Sequence, residues 1–328
     1  MNLRVLAEAG PSIGLGHFVR SLALVQMIKK GITPIFYGRD KSLIKDILLQ
    51  HGIDFHRIDS LAGFLNHLSN DDIVLMDGYG YDTDFQKAVK EKCHKLFVID
   101  DKHDQTYCAD FIINPAPGIS EDDYKTIGDC KFLLGPKYAL LRPAFLRSEK
   151  TKNTNTPSSV VVCFGGADPD NLSHKVVELL LSFQKLKKVH LIIGLAYSFY
   201  NSLGLLLNDA RLQVSKALNE EKMATALIEA DFAVVPSSGI LYECIGVGTP
   251  AISGYYVDNQ INTYKGWLSK KAIIGVEGFD MHLLKNKVQK ILSGDIDLNQ
   301  FSANGVVDGK SPERYSSIFK EIIESYEV

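Results

Sequence analysis

Gly10-Pro11-Ser12-Ile13-Gly14-Leu15-Gly16-His17 sets a histidine directly behind a glycine-rich turn. The turn follows an apolar run, LRVLAEA at 3–9, and opens an amphipathic stretch at 17–30. Glycines there let backbone N–H groups approach an anionic ligand at a helix N-terminus. A histidine in that first turn faces the positive end of the helix dipole, which favours neutral imidazole. Neutral imidazole is the form a general base needs. A capping or packing histidine accounts for His17 equally well from this motif alone. The dinucleotide fingerprint GxGxxG is not met, because Val19 holds the third glycine position.

A second glycine turn, Phe164-Gly165-Gly166-Ala167-Asp168-Pro169-Asp170-Asn171, again joins a strand to a helix. Its glycine pair would admit a diphosphate to the next helix's N-terminus. Asp168 and Asp170 together could hold a divalent metal, but Asp170 and Asn171 sit where helix caps belong. A third stretch runs from Pro236 through Ser237, Ser238 and Gly239 to Glu243, one turn into a helix. A carboxylate there could accept both hydroxyls of a ribose, or simply be solvated. No serine lies between glycines as GxSxG, so a nucleophile elbow is excluded. In a fourth, Asp258-Asn259-Gln260-Ile261-Asn262, three amide side chains offer donors and acceptors for sugar hydroxyls or acetamido groups. Capping by Asp258 or Asn259 is the plainer use. Two acidic strand ends remain, Met76-Asp77-Gly78-Tyr79-Gly80 and Ile99-Asp100-Asp101. Adjacent acids on an extended strand point to opposite faces, so Asp100 and Asp101 do not form one carboxylate pair. The other histidines show no metal-ligand spacing.

The elements that must carry these motifs alternate short apolar runs with longer amphipathic ones, as βαβ units do. Strands are expected at 3–9, 33–38, 54–58, 72–78, 95–101, 111–115 and 131–135, with helices at 17–30 and 42–52. Residues 149–159 lack any large apolar side chain and read as a linker. Beyond it strands are expected at 160–164, 189–194, 212–216, 232–236, 250–255 and 272–276. Helices are expected at 171–187, 219–230, 239–247, 260–270 and 281–293, and a last one near 312–326 folds back. The reading is an α/β protein with two tandem parallel-sheet domains, 1–148 and 160–328. In such pairs ligands sit at the carboxyl ends of strands, in the interdomain cleft.

The composition fits. Over 328 residues, 36 Lys plus Arg and 39 Asp plus Glu give a formal charge of −3, so no basic field exists for nucleic acid. Hydrophobic residues are 45% and charged ones 23%, as in globular proteins. The five cysteines (93, 108, 130, 163, 244) are scattered, which fits a reducing, cytoplasmic setting better than a disulfide framework. The N-terminus does not read as a signal peptide, and no apolar run is long enough to span a membrane.

Taken together, the tandem Rossmann-like domains, the glycine loop ending in His17, the Gly165-Gly166 loop and the late Ser-to-Glu243 stretch resemble a GT-B chain. Within that superfamily the chain resembles the UDP-2,4-diacetamido-2,4,6-trideoxy-β-L-altropyranose hydrolases of pseudaminic acid biosynthesis. IGLGHFVRSLAL (13–24), MDGYG (76–80), FVIDD (97–101), CADFIINP (108–115), GPKYALLRPAF (135–145), CFGGADPDNLS (163–173) and VDNQINT (257–263) carry the match. More distantly it is similar to the N-acetylglucosaminyltransferase that makes lipid II. The resemblance implies a UDP-sugar and water as substrates. It implies hydrolysis at C1–O with inversion, with no cofactor and no metal. His17 would be the base, with Tyr79 and Asn259 orienting sugar or water. Gly14, Gly16, Arg20, Gly165, Gly166, Ser238, Gly239 and Gln260 would line the substrate site. The helix after Gly165-Gly166 would receive the diphosphate, and Glu243 the ribose. Gly78 departs from the family, whose members can carry a larger residue before this tyrosine. A glycosyltransferase of the same fold, or a non-catalytic nucleotide-sugar binder, are the competing readings. A basic, apolar patch at Lys41–Leu49 would suit a membrane-acting transferase, as it would a core-facing helix. No feature sets an oligomeric state.

Overall fold

The computed structural model describes residues 1–10, 14–28, 31–39, 42, 44–147, 156–301 and 305–326. The chain divides into two compact units, Met1–Leu140 with Asp308–Val328, and Leu141–Val307. Of the expected linker, residues 149–155 lie outside the described residues, and Ser159 already opens a strand.

In the first unit the strands are β1 (Asn2–Ala7), β2 (Thr33–Gly38), β3 (Asp54–Arg57), β4 (Ile73–Asp77), β5 (Lys95–Ile99), β6 (Thr106–Tyr107), β7 (Phe111–Asn114), β8 (Lys125–Thr126) and β9 (Lys131–Leu134). Seven of them form one sheet in the order β3-β2-β1-β4-β5-β7-β9, while β6 and β8 pair separately. Every pairing is parallel. Helices α1 (Gly16–Met27), α2 (Lys45–Gln50), α3 (Leu61–Leu65) and α4 (Thr83–Lys90) supply the early crossovers. The central strand β4, IVLMD, is buried at every residue, which is why it reads as an unbroken apolar run. β1 pairs with β2 on one side and β4 on the other. The strand order therefore reverses between β1 and β4, and their carboxyl ends flank a crevice.

The second unit repeats the plan. Strands β10 (Ser159–Val162), β11 (Lys188–Ile193), β12 (Leu212–Lys216), β13 (Phe232–Pro236), β14 (Ala251–Gly254) and β15 (Ile274–Gly275) lie in the order β12-β11-β10-β13-β14-β15. Its reversal falls between β10 and β13. Helices α5 (Pro143–Arg147), α6 (Leu172–Leu181), α7 (Glu220–Glu229), α8 (Gly239–Gly246), α9 (Ile261–Ser269) and α10 (Met281–Ser293) belong to it.

The last helix, α11 (Ser311–Tyr326), returns to the first unit, so a second domain running unbroken from 160 to 328 is not what forms. The reason lies in its apolar stripe: Tyr315, Phe319 and Ile322 are buried at helical spacing. Phe319 stacks on Phe97 with centroids 4.8 Å apart, and Phe97 stacks on Phe111 at 4.3 Å. The Tyr315 hydroxyl donates to the Tyr138 carbonyl at 2.9 Å, and Ser316 Oγ to that of Met27 at 2.8 Å.

Candidate active site

At the β1–β4 crevice, α1 brings His17 and Arg20 onto one carboxylate. Gly14, at φ 81°, exchanges backbone hydrogen bonds with Gly10 and turns the chain into the helix. No neighbour approaches the place where a Cβ would stand on Gly14 or Gly16. His17 and Arg20, three residues apart, share a helix face. Asp77 ends β4 and is fully buried. His17 Nδ1 lies 2.7 Å from Asp77 Oδ1. Arg20 donates from Nε to Oδ2 at 2.7 Å and from Nη2 to Oδ1 at 2.6 Å. Ser21 Oγ adds a fourth donor at 3.2 Å.

A carboxylate only accepts, so Nδ1 carries the proton and the imidazole lone pair stands at Nε2. Arg20 Nη2 also lies 3.0 Å from Nδ1. With Nδ1–H given to Asp77, that approach is a contact between two donors sharing one acceptor. Burial pushes the Asp77 carboxyl up, but the charges and hydrogen bonds of Arg20 and His17 outweigh it and hold Asp77 below the usual carboxylate range. Arg20 is disfavoured by burial, yet Asp77 and Asp101 together raise it well above its ordinary value.

The next strand end separates its two acids as expected. Asp100 turns into the fold, accepting from Tyr107 Oη at 2.6 Å, Tyr124 Oη at 3.0 Å and the His103 N–H at 2.9 Å. Burial raises its pKa, against the pull of those hydrogen bonds. Asp101 turns to the site, where Oδ2 accepts from Arg20 Nη1 at 2.8 Å and from Tyr79 Oη at 3.1 Å. The Tyr79 ring meets His17 edge-on with centroids 4.7 Å apart, and Lys102 Nζ stands 4.2 Å from its centre. Of the first-unit site residues expected from sequence, His17, Arg20 and Tyr79 come together. Arg20 does so as a brace for Asp77 and Asp101, with Nε and both terminal nitrogens engaged. Asp77 and Asp101 were visible only as acidic strand ends. The signal that joins Asp77 to His17 is topological: in this strand order the end of β4 must lie beside the helix that follows β1.

In the second unit the glycine loop does a different job from the one expected. Asp168, at φ 47°, turns back so that its carboxylate accepts from the Leu172 and Ser173 N–H groups at 2.9 and 2.8 Å. The α6 N-terminus thus already holds an anion, and a diphosphate there would meet a carboxylate instead of free donors. Asp168 is the cap, not Asp170 or Asn171; the Asn171 amide bonds Ser202 and Tyr197. Gly166 packs its backbone against Gly194, where a Cβ would come within 2.4 Å of Gly166 Cα. Gly194 is thus explained by chain packing, and Gly165, at φ 80°, by the turn itself.

At α8, by contrast, Ser238 occupies the cap position with no side-chain cap bond, and Gly239 is exposed. One turn on, Glu243 is buried and bound through Oε1 by Arg142, at 3.1 Å from Nε and 2.5 Å from Nη2. Burial raises its pKa and Arg142 opposes that shift. No motif joins Arg142 to Glu243, which stands 101 residues away in sequence. Gln260 is buried, its Oε1 accepting from the Tyr256 N–H at 3.2 Å. Asn259 lies beside it in a single turn of 3-10 helix, and neither Asp258 nor Asn259 caps a helix. Among the described residues, no group of three or more His, Cys, Asp or Glu side chains is arranged to hold a metal ion, and no helix is long and apolar enough to cross a membrane. In the patch at 41–49, Lys41 and Leu43 lie outside the described residues, and Leu48 is buried.

The comparisons with known proteins show the fold. No family model matches the chain. It is 26% identical over 324 residues to an uncharacterized protein of Methanocaldococcus jannaschii, covering 89% of this chain and 65% of that protein, so it spans about two thirds of that relative. It is 23% identical over 346 residues to the spore coat polysaccharide biosynthesis protein SpsG of Bacillus subtilis, covering 99% of each. Three solved structures superpose over nearly the whole chain. Acinetobacter baumannii MurG gives a TM-score of 0.66 at 12% identity, covering 98% of this chain and 99% of that one. A putative UDP-N-acetylglucosamine 2-epimerase from Listeria monocytogenes gives 0.65 at 14%, covering 99% and 97%. S. aureus MnaA, solved with UDP, gives 0.64 at 12%, covering 98% and 97%. The chain is an α/β protein with two parallel-sheet units and the GT-B fold of these structures. Among its relatives by sequence is a polysaccharide biosynthesis protein.

Proposed function

We propose that this protein is an enzyme acting on UDP-sugars, and specifically that it hydrolyses a UDP-linked 2,4-diacetamido-2,4,6-trideoxyhexose of the L-altro series at C1–O with inversion. The products are UDP and the free sugar. The observation that carries the reading is the commitment of His17 Nδ1–H to Asp77, which leaves the lone pair at Nε2. Nε2 takes a proton from water as the water oxygen attacks C1. The C1–O bond breaks, and its electron pair leaves on the β-phosphate oxygen of UDP. One displacement inverts C1. Asp77 holds the imidazolium that forms, and the Arg20 brace keeps Asp77 ionised. A positioned base of this kind contributes ~10²–10⁴-fold.

In this reading UDP is held by the second unit. Its diphosphate takes the N–H groups of α8 from Gly239 onward, since no side chain caps that helix and the Ser238 N–H is given to the Pro236 carbonyl at 2.8 Å, instead of those of α6. The α8 dipole favours the charge that grows on the leaving group. Glu243, oriented by Arg142, accepts the ribose hydroxyls, and Asn259 and Gln260, in the turn that follows β14, offer amides to the acetamido groups. MnaA, of the same fold, was solved with UDP, which supports a nucleotide-sugar ligand. The test is His17→Ala: binding of the UDP-sugar persists and turnover falls at least a hundredfold. Full activity in that variant removes His17 from the role of base.

A further inference from the structure

Glu8 sits one residue past β1 and Gly78 one residue past β4, and the register Ala7↔Asp77 sets them side by side. The Glu8 carboxylate reaches over Gly78 and accepts the two N–H groups that follow it. Tyr79 N–H meets Oε2 at 3.0 Å, and Gly80 N–H meets Oε1 at 3.2 Å. Glu8 in turn gives its own N–H to the Asp77 carbonyl at 2.9 Å. A Cβ on residue 78 would lie 2.5 Å from Glu8 Cγ and 2.6 Å from its Cδ, so the glutamate occupies the space a larger residue would need. The backbone held this way belongs to the tyrosine whose ring edges His17 and whose hydroxyl reaches Asp101.

We infer that Glu8 and Gly78 are a matched pair that fixes the pose of Tyr79 against His17, with Glu8 acting as a positioning residue for the reaction. The inference rests on the role given to His17 above. A carboxylate that accepts two successive backbone N–H groups fixes the direction of that peptide segment. Geometry at a reacting centre matters steeply, since a displacement of about 1 Å can cost ~10²-fold in rate. Gly78 is glycine because Glu8 lies where its side chain would go.

The test is a set of four variants of the full chain, Glu8→Ala, Glu8→Gln, Gly78→Ala and the Glu8→Ala/Gly78→Ala double, each assayed for kcat and KM with the UDP-sugar. Glu8→Ala lowers kcat ten- to hundredfold with KM changed less than threefold. Glu8→Gln, which keeps one acceptor, falls between it and the parent. Gly78→Ala is impaired because Glu8 must move, and the double variant is no worse than Glu8→Ala alone, since neighbours that share one contact are not additive. A Glu8→Ala kcat within twofold of the parent, or a double variant showing the product of the two single losses, overturns the inference. A second readout does not depend on turnover. In Glu8→Ala the Tyr79 and Gly80 amides exchange hydrogen faster, and the His17 ring-proton resonances shift as they do in Tyr79→Ala. Unchanged amides and His17 resonances overturn the pairing even in a folded protein. If those shifts occur but the parent turns over no UDP-sugar, the proposed reaction fails and the positioning pair stands.

Discussion

Asp77→Asn removes one charge from the site with almost no change in shape. The carboxylate receives four donors: the His17 Nδ1–H, two from Arg20 and one from Ser21. An asparagine oxygen satisfies part of that set, and its NH₂ must then face donors. If the NH₂ lies toward His17, the imidazole answers by accepting at Nδ1 and carrying its proton at Nε2. That tautomer has no lone pair for water. In a Ser-His-Asp triad, trapping the wrong tautomer costs about 10⁴-fold, and losing a general base costs ~10²–10⁴-fold. At ~1.36 kcal/mol per tenfold, the expected loss is about 2.7–5.4 kcal/mol of transition-state stabilisation. It falls on kcat. UDP, held by the second unit in this account, binds as before. The assay is UDP release under saturating UDP-sugar, with UDP affinity measured by calorimetry on the same sample. A kcat within threefold of the parent would refute the assignment of Asp77 and, with it, the tautomer argument for His17.

Three further outcomes follow from other parts of the molecule. Phe319→Ala removes a ring stacked on Phe97 and should cost ~3–5 kcal/mol of first-unit stability, read as a lowered urea midpoint; a change below ~1 kcal/mol would mean α11 is not part of that core. Asp168→Ala removes the α6 cap, lowering stability by ~0.5–2 kcal/mol without weakening UDP affinity; a tenfold loss of UDP binding would return the diphosphate to α6. Asp77 has a lowered folded-state pKa, so it binds fewer protons folded than unfolded as the pH falls below ~5. Its stabilisation is complete above the unfolded value of about 3.9 and is lost as pH falls through the folded one. The parent therefore loses more stability than Asp77→Asn as the pH falls below about 3.9, and parallel acid denaturation curves would contradict this.

The elements were legible where periodicity and length were sufficient. TPIFYG, LQVSK and FAVVP form strands over the expected residues, and 281–293 is a helix throughout, capped at its start by Asp280. α3 and α5, at five residues each, and the two-residue β6 and β8 are too short to carry a period. The fold-back of α11 was anticipated, but its destination was not, because an apolar stripe does not state which sheet it will cover. Within the site, His17 was marked by its own motif. Its partner was not, because Asp77 is 60 residues away and only the strand order joins them. The choice of Asp168 as cap depends on a left-handed backbone at a non-glycine residue, which composition disfavours and tertiary context imposes. Glu8 has no motif; its use appears only once β1 and β4 are in register.

The most direct measurement is incubation of the protein with UDP-2,4-diacetamido-2,4,6-trideoxy-β-L-altropyranose in ¹⁸O-labelled water, with no acceptor and excess chelator, followed by NMR and mass spectrometry from the first minutes. The account predicts UDP without label and a free sugar labelled at C1, appearing first as the inverted anomer. Label in UDP would mean cleavage of the P–O bond, and a retained anomer would mean two displacements. No turnover until a sugar or lipid acceptor is supplied would make the protein a transferase and contradict the central claim.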